Sequence, residues 1–201
     1  MSGEVIRSFA VPAAATVGIT FDGKYLWVVN DSTDLIYQID LNGVVIKSFA
    51  APVAKPVSLA FDGKYLLCND WESNLIYQLD LDGVIVRSFA GPCANGAGLT
   101  FDGKYLWITY LATHLIYQFG MDGVAIKSFA APAAFPTGLA FDGKYLWAGS
   151  MFERIIYQLD LDGVIIGSFA NPWQQVQGFV FGNKYLWVVN EVKRLIYQIA
   201  R

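Results

Sequence analysis

Surface chemistry needs reactive side chains brought together, and this chain has few to bring. His114 is its only histidine. A nucleophilic site would pair it with Cys93, which precedes the same segment, and with a carboxylate, because a thiol needs a base to activate it and the base needs an orienting partner. Paired carboxylates of the kind that hydrolyse glycosides could be drawn from Asp70, Glu72, Glu153 and Glu191. The equivalent positions Asn30, Asp70, Tyr110, Ser150 and Asn190 could turn oxygen atoms toward a calcium ion. Only one of them is a carboxylate, which favours hydrogen-bonded strand ends instead. No phosphate-binding glycine loop occurs, and the sequence calls for no cofactor and no metal.

Periodicity decides which elements would position these residues. Phe21-Asp22-Gly23-Lys24-Tyr25-Leu26-Trp27 returns in close copies at Phe61, Phe101, Phe141 and Phe181, forty residues apart each time. A repeat of that length signals a solenoid, a propeller or an array. Within one unit, Val44 to Ala50, Val57 to Phe61, Tyr65 to Asn69 and Leu75 to Asp80 are short runs rich in β-branched and aromatic residues, separated by turn residues. They read as four antiparallel strands. Asp-Gly after Phe61 predicts a two-residue type I′ hairpin, and Gly182-Asn183 is expected to keep that chemistry in the last copy. Gly3, Gly43, Gly83, Gly123 and Gly163 supply left-handed residues to the other hairpin.

Both faces of these strands are apolar, so each sheet must be sandwiched. A ring of radially arranged four-stranded sheets does this for every unit, and predicts an all-β five-bladed propeller over residues 1–201, one domain of five 40-residue repeats. The chain starts with an outer-type strand, Glu4 to Ala10, and ends with a third strand, Leu195 to Ile199. The N-terminal strand is therefore expected to complete the C-terminal blade, leaving no free edge at that seam.

The unit Gly-Leu-Ala-Phe-Asp-Gly-Lys-Tyr-Leu-Trp, followed by Leu-Ile-Tyr-Gln-Leu-Asp and Gly-Val-Ile-Ile-x-Ser-Phe, resembles the blades of bacterial NHL-like and streptogramin-lyase-like propellers. The resemblance covers the whole chain. It implies a possible lyase with a histidine and a carboxylate in the cleft of one face, for which His114 and Glu153 are the candidates. Those families generally have six or seven blades rather than five, and a shared blade does not carry an activity with it.

Composition narrows the partners. With a net charge of −3 and acidic and basic residues interspersed, the chain offers no basic cluster for a nucleic acid or an anionic membrane. Its apolar runs are too short for a spanning helix, and its first residues lack the pattern of a signal peptide, so the expectation is a cytoplasmic monomer. Cys68 and Cys93 occupy different positions of their repeats and read as free thiols. Asn30-Asp31-Ser32 forms a glycosylation sequon, relevant only to a secreted protein.

Comparing the five copies locates function. Twelve columns are identical, represented by Gly3, Ser8, Phe9, Ala10, Pro12, Phe21, Lys24, Tyr25, Leu26, Ile36, Tyr37 and Gln38, and read as the packing and turn code of a blade. Variation collects in two windows, residues 11–17 and 28–34 of the first unit, which strand direction places on one face of the disc. Loops on a rigid scaffold are where binding residues concentrate. The expected function is a non-enzymatic module that binds a small molecule, glycan or protein there through Asp70, Trp71, Tyr110, His114, Phe152, Arg154 and Trp173. Two alternatives stand beside it: a lyase or hydrolase using His114 with a carboxylate of that face, and an amplified or engineered near-symmetric scaffold without a ligand.

Overall fold

Short apolar runs between turn residues dictate strands, and every regular element of the computed structural model, which describes residues 3–93, 95–171 and 176–200, is a strand. Strand β1 (Val5–Ala10) leads into a first meander of β2 (Thr16–Phe21), β3 (Leu26–Asn30), β4 (Leu35–Ile39) and β5 (Val45–Ala50). The second is β6 (Pro56–Phe61), β7 (Leu66–Asp70), β8 (Leu75–Leu79) and β9 (Ile85–Ala90). The third is β10 (Gly96–Phe101), β11 (Leu106–Tyr110), β12 (Leu115–Phe119) and β13 (Ala125–Ala130). The fourth is β14 (Pro136–Phe141), β15 (Leu146–Ser150), β16 (Ile155–Leu159) and β17 (Ile165–Ala170). The fifth has three strands of its own, β18 (Val176–Gly182), β19 (Tyr185–Asn190) and β20 (Leu195–Ala200).

Each meander is one four-stranded antiparallel sheet, and the fifth is completed by β1 in the order β1-β20-β19-β18. Ser8 lies opposite Tyr197, Phe9 opposite Ile196 and Ala10 opposite Leu195. The inner strands β2, β6, β10, β14 and β18 pack on one another around an axis, and β18 closes the ring against β2. The protein is a five-bladed β-propeller closed by its N-terminal strand, as the repeat register requires. Among the described residues, no helix is long and apolar enough to cross a membrane.

Adjacent blades are joined by a repeated latch. Phe9, Phe49, Phe89, Phe129 and Phe169 of the outermost strands each lie against a turn glycine of the next blade, respectively Gly43, Gly83, Gly123, Gly163 and Gly3. At Gly83 an added Cβ would sit 2.5 Å from Phe49 Cδ2, and the φ of 89° independently disfavours a side chain. The same rings tilt against buried indoles, Phe49 on Trp27 and Phe129 on Trp107, with centroids 6.0 Å apart. Lys47–Asp82 and Lys127–Asp162 ion pairs cross two of the junctions at 2.6 and 2.7 Å, and Arg7 donates to Asn42 Oδ1 at 2.8 Å across the seam. Around the axis the strands approach so closely that a Cβ at Gly98 would run into the Thr137 carbonyl of the next blade.

One expectation needs correction. The Asp-Gly hairpins are not type I′ turns, because only the glycine has positive φ, 97° at Gly23. The Asp22 side chain sets the turn instead: Oδ1 accepts the N–H groups of Lys24 (2.8 Å) and Tyr25 (2.6 Å), while Oδ2 accepts the Trp27 indole N–H at 2.7 Å. The type I′ geometry occurs in the fifth blade, where Gly182 replaces that aspartate and Asn183 and Lys184 take φ values of 50° and 72°. The residue change alters the turn chemistry rather than keeping it.

Candidate functional site

The loops that differ between blades, one running from each outermost strand to the next inner strand and one joining the second and third strands of a blade, all lie on the same face. The strand ends beneath them are tied down from within. Asn30 Nδ2 donates to the Ala14 carbonyl, and its Oδ1 accepts the N–H groups of Ser32 (3.1 Å) and Thr33 (2.8 Å). Asp70 accepts the N–H groups of Glu72 (3.3 Å) and Ser73 (3.0 Å), Ser150 donates to the Ala134 carbonyl at 2.6 Å, and Asn190 accepts the Lys193 N–H at 2.7 Å. Tyr110 serves the same end with its hydroxyl, which accepts the Cys93 N–H at 3.1 Å. Local backbone groups therefore engage this ring of oxygen atoms, and among the described residues no group of three His, Cys, Asp or Glu side chains could hold a metal. The sequon asparagine, Asn30, is fully buried.

The next residue in each loop reaches the axis. Asp31, Trp71, Leu111, Met151 and Glu191 form the upper wall of an open funnel of about 300 Å³, whose lower wall is Val17, Val57, Ala97, Thr137 and Gln177 from the inner strands. The funnel is asymmetric. Blades two, three and four supply the apolar and aromatic side, with Trp71, Leu111 and Met151, whereas the neighbouring blades one and five supply Asp31 and Glu191. Lys55 stands at the rim, its ammonium engaged by Glu72 Oε1 at 2.6 Å. Below, the axial space narrows to about 10 Å³ between Gly18, Ser58, Gly98 and Gly178, room for about one water.

The electrostatics of the acidic side follow from its setting. Asp31 lies at the rim, yet loss of water around its carboxyl pushes it above the ordinary carboxylate range, with a smaller push from the neighbouring Asp34. Glu191 accepts the Gln177 amide N–H at 3.2 Å. Among the described residues neither carboxylate is in an ion pair.

The residues expected from sequence scatter over different roles. Trp71 lines the funnel. Asp70 and Tyr110 are buried at strand ends, and Tyr110 packs edge-on against Tyr117 with centroids 5.3 Å apart. His114 occupies a turn position with φ of 54° and tilts against Phe135 with centroids 5.0 Å apart, and Phe135 meets exposed Phe152 edge-on at 5.3 Å. Left-handed positions are enriched in Asn, Asp and His, and the equivalent residues Asp34 and Asn74 share this one. Glu153 accepts the Tyr157 hydroxyl at 2.7 Å, which raises that phenol, and exposed Arg154 donates no contact into the funnel. Cys93 is half-buried beside Tyr117, while Cys68 lies in the core, where burial pushes its thiol up; both are free. Trp173 lies outside the described residues.

Sequence reasoning missed Asp31 and Leu111 of the upper wall and most of the inner-strand wall. The signal was present: the column Asp31, Trp71, Leu111, Met151, Glu191 holds five different residues directly after a column of hydrogen-bonding ones.

Comparison with solved structures agrees with the architecture. The glutaminyl cyclase of Myxococcus xanthus superposes with a TM-score of 0.83 at 14% identity, covering 98% of this chain and 94% of that one. The virginiamycin B lyase of Staphylococcus aureus gives 0.59 at 20% identity over 96% of this chain and 70% of that one, and a streptogramin B lyase gives 0.60 at 16% over 96% of both. At these identities the likeness is one of fold, that of a β-propeller. No protein-family model and no curated protein sequence matches the chain.

Proposed function

We propose that the protein is a binding module that holds a small molecule in the axial funnel. The observation that carries this reading is the two-sided lining: a concave site of about 300 Å³ with a contiguous apolar side and a few convergent polar groups. That is the make-up of a ligand site, at the lower end of the usual size range. The supporting frame is tied across blades: Asn69 Nδ2 on the second strand of blade two donates to the Gly96 carbonyl of the next inner strand at 2.7 Å, and Thr137 Oγ1 to the Val176 carbonyl at 2.8 Å fastens the inner strands of blades four and five. The ring satisfies each blade on both sides, which fits a monomer, a point for analytical ultracentrifugation.

Calorimetric titration with tryptophol, a neutral aromatic alcohol, tests the site. Saturable one-site binding, weakened at least about tenfold by Trp71→Ala, is expected. Binding that ignores Trp71 sinks the proposal, and total absence of binding favours the ligand-free scaffold.

One observation favours a second reading. Asp31 and Glu191, on neighbouring blades, put two carboxylates on one side of the funnel, the residue type that serves general acid-base chemistry, and the structural neighbours are named as enzymes. On this reading the chemistry belongs to Asp31 and Glu191 rather than to His114, which does not line the funnel. Turnover of a streptogramin or glutaminyl substrate that disappears in Asp31→Asn and survives His114→Ala would establish it.

A further inference from the structure

The funnel is divided by charge as well as by polarity. Asp31 and Glu191 come from neighbouring blades, and Leu111 comes from the blade most nearly opposite, with Trp71 and Met151 flanking it. Among the described residues of the lining the cation is Lys55, already matched by Glu72 at 2.6 Å. Two carboxylates thus face the funnel without an ion-pair partner among the described residues, while Gln177 satisfies only one lone pair of Glu191. A ligand that left them in place would desolvate them for nothing, whereas a cation would offset that cost.

We propose, building on the reading of the funnel as a small-molecule site, that its ligand is an organic ammonium ion with an apolar or aromatic body. Its N–H groups meet Asp31 and Glu191, and its body lies against Trp71, Leu111 and Met151. The geometry selects an ammonium over a metal cation. Hard divalent ions take six or more oxygen ligands, and here two carboxylates share the lining with apolar side chains. A free carboxylic acid is selected against, since it would add a third negative charge to the same side.

The experiment compares three indole probes by calorimetry on the full chain: tryptamine, tryptophol and indole-3-propionate, which differ in carrying a positive, neutral or negative group. Tryptamine is expected to bind about tenfold more tightly than tryptophol, and indole-3-propionate more weakly than both. The double variant Asp31→Asn, Glu191→Gln should erase the preference, so that tryptamine and tryptophol bind within about twofold of each other in that variant. These changes are isosteric and lie on the loop face, and circular dichroism confirms the fold. Equal affinity for tryptamine and tryptophol overturns the ammonium assignment while leaving the pocket itself standing. Binding of none of the three overturns both. Displacement of tryptamine by millimolar calcium chloride, with calcium binding lost in the same double variant, overturns the assignment in favour of a metal ion.

Discussion

The Asp22 carboxylate accepts the Trp27 indole N–H at 2.7 Å, joining the turn of the first hairpin to the buried ring five residues on. The pairing recurs as Asp102 with Trp107 at 2.7 Å and Asp142 with Trp147 at 3.0 Å. The two exceptions are informative. Where Leu67 replaces the tryptophan, Asp62 turns to the Gln78 amide at 2.8 Å, and where Gly182 replaces the aspartate, Trp187 donates to the Gly182 carbonyl at 3.2 Å. The aspartate thus works as turn former and indole partner together. Asp102→Ala should cost about 1–3 kcal/mol in urea denaturation by stranding a buried donor, and Trp107→Ala about 3–5 kcal/mol. Asp62→Ala strands the Gln78 amide in place of an indole, so comparing it with Asp102→Ala weighs one partner against the other. Equal losses at Asp62 and Asp102 would show that the indole bond contributes no more than the amide bond.

Phe179 fills the space left by two small residues of the preceding blade. Its ring would lie 2.5 Å from a Cβ at Gly149 and 2.6 Å from one at Gly138. Gly149→Val should therefore destabilise by about 1–3 kcal/mol through overpacking. Phe179→Leu, which matches Leu59, Leu99 and Leu139 at the equivalent position, should recover most of that loss in the double variant, a coupling measurable by a thermodynamic cycle. Additive losses would show that the two sites do not share space.

Removing residues 1–10 strips the β20 edge of its partner and takes away Phe9, which covers Gly43 and tilts on Trp187 at 6.0 Å. The truncated chain should melt at a clearly lower temperature and gain affinity for a synthetic peptide of residues 1–10 supplied in trans. An unchanged melting temperature would mean that the seam does not hold the ring shut.

The raised carboxyl of Asp31 predicts a dependence of stability on pH. The folded protein holds that proton to higher pH than the unfolded chain does, so the favourable contribution is complete below the ordinary carboxylate value and is lost as pH rises through the raised one. At neutral pH the ionised side chain is a net cost, kept to roughly a few tenths of a kcal/mol by solvent at the rim. Asp31→Asn should melt slightly higher than the parent at pH 7, with the advantage fading as pH falls through the raised value and gone below about pH 3. An advantage that grows toward acid would contradict the assignment.

The blade was legible in the sequence because five copies of the same apolar alternation and the same turn glycines state it repeatedly. The ring closure followed from Glu4 to Ala10 having no partner of its own other than the last strand. What misled was side-chain direction at the variable face. Asp70 and Tyr110 count among the expected binding residues, yet their column, which also reads as hydrogen-bonded strand ends, turns inward because the backbone of the adjoining loops needs acceptors and donors there. Asp31 and Leu111, one residue later, fall on the opposite side and reach the axis. A period of two separates structural support from funnel lining, and the comparison of copies shows variety without showing which way each residue points. The hairpin failed for a related reason: Asp-Gly was read for its backbone preference, whereas the Asp22 side chain decides the turn.

The Phe-to-Gly latch gives the ring an unusual freedom. Phe169 with Gly3 and Phe9 with Gly43 flank the closing blade in the same way that Phe49 and Gly83 join two blades in the middle of the chain. Every junction is one heterologous, head-to-tail contact repeated until it meets itself. The covalent connection between neighbouring blades is then almost redundant with the contact beneath it, so the break in the polypeptide can be moved around the circle. The scaffold differs between blades in single positions such as Leu67 and Gly182, and the residues facing the axis give the ring its orientation.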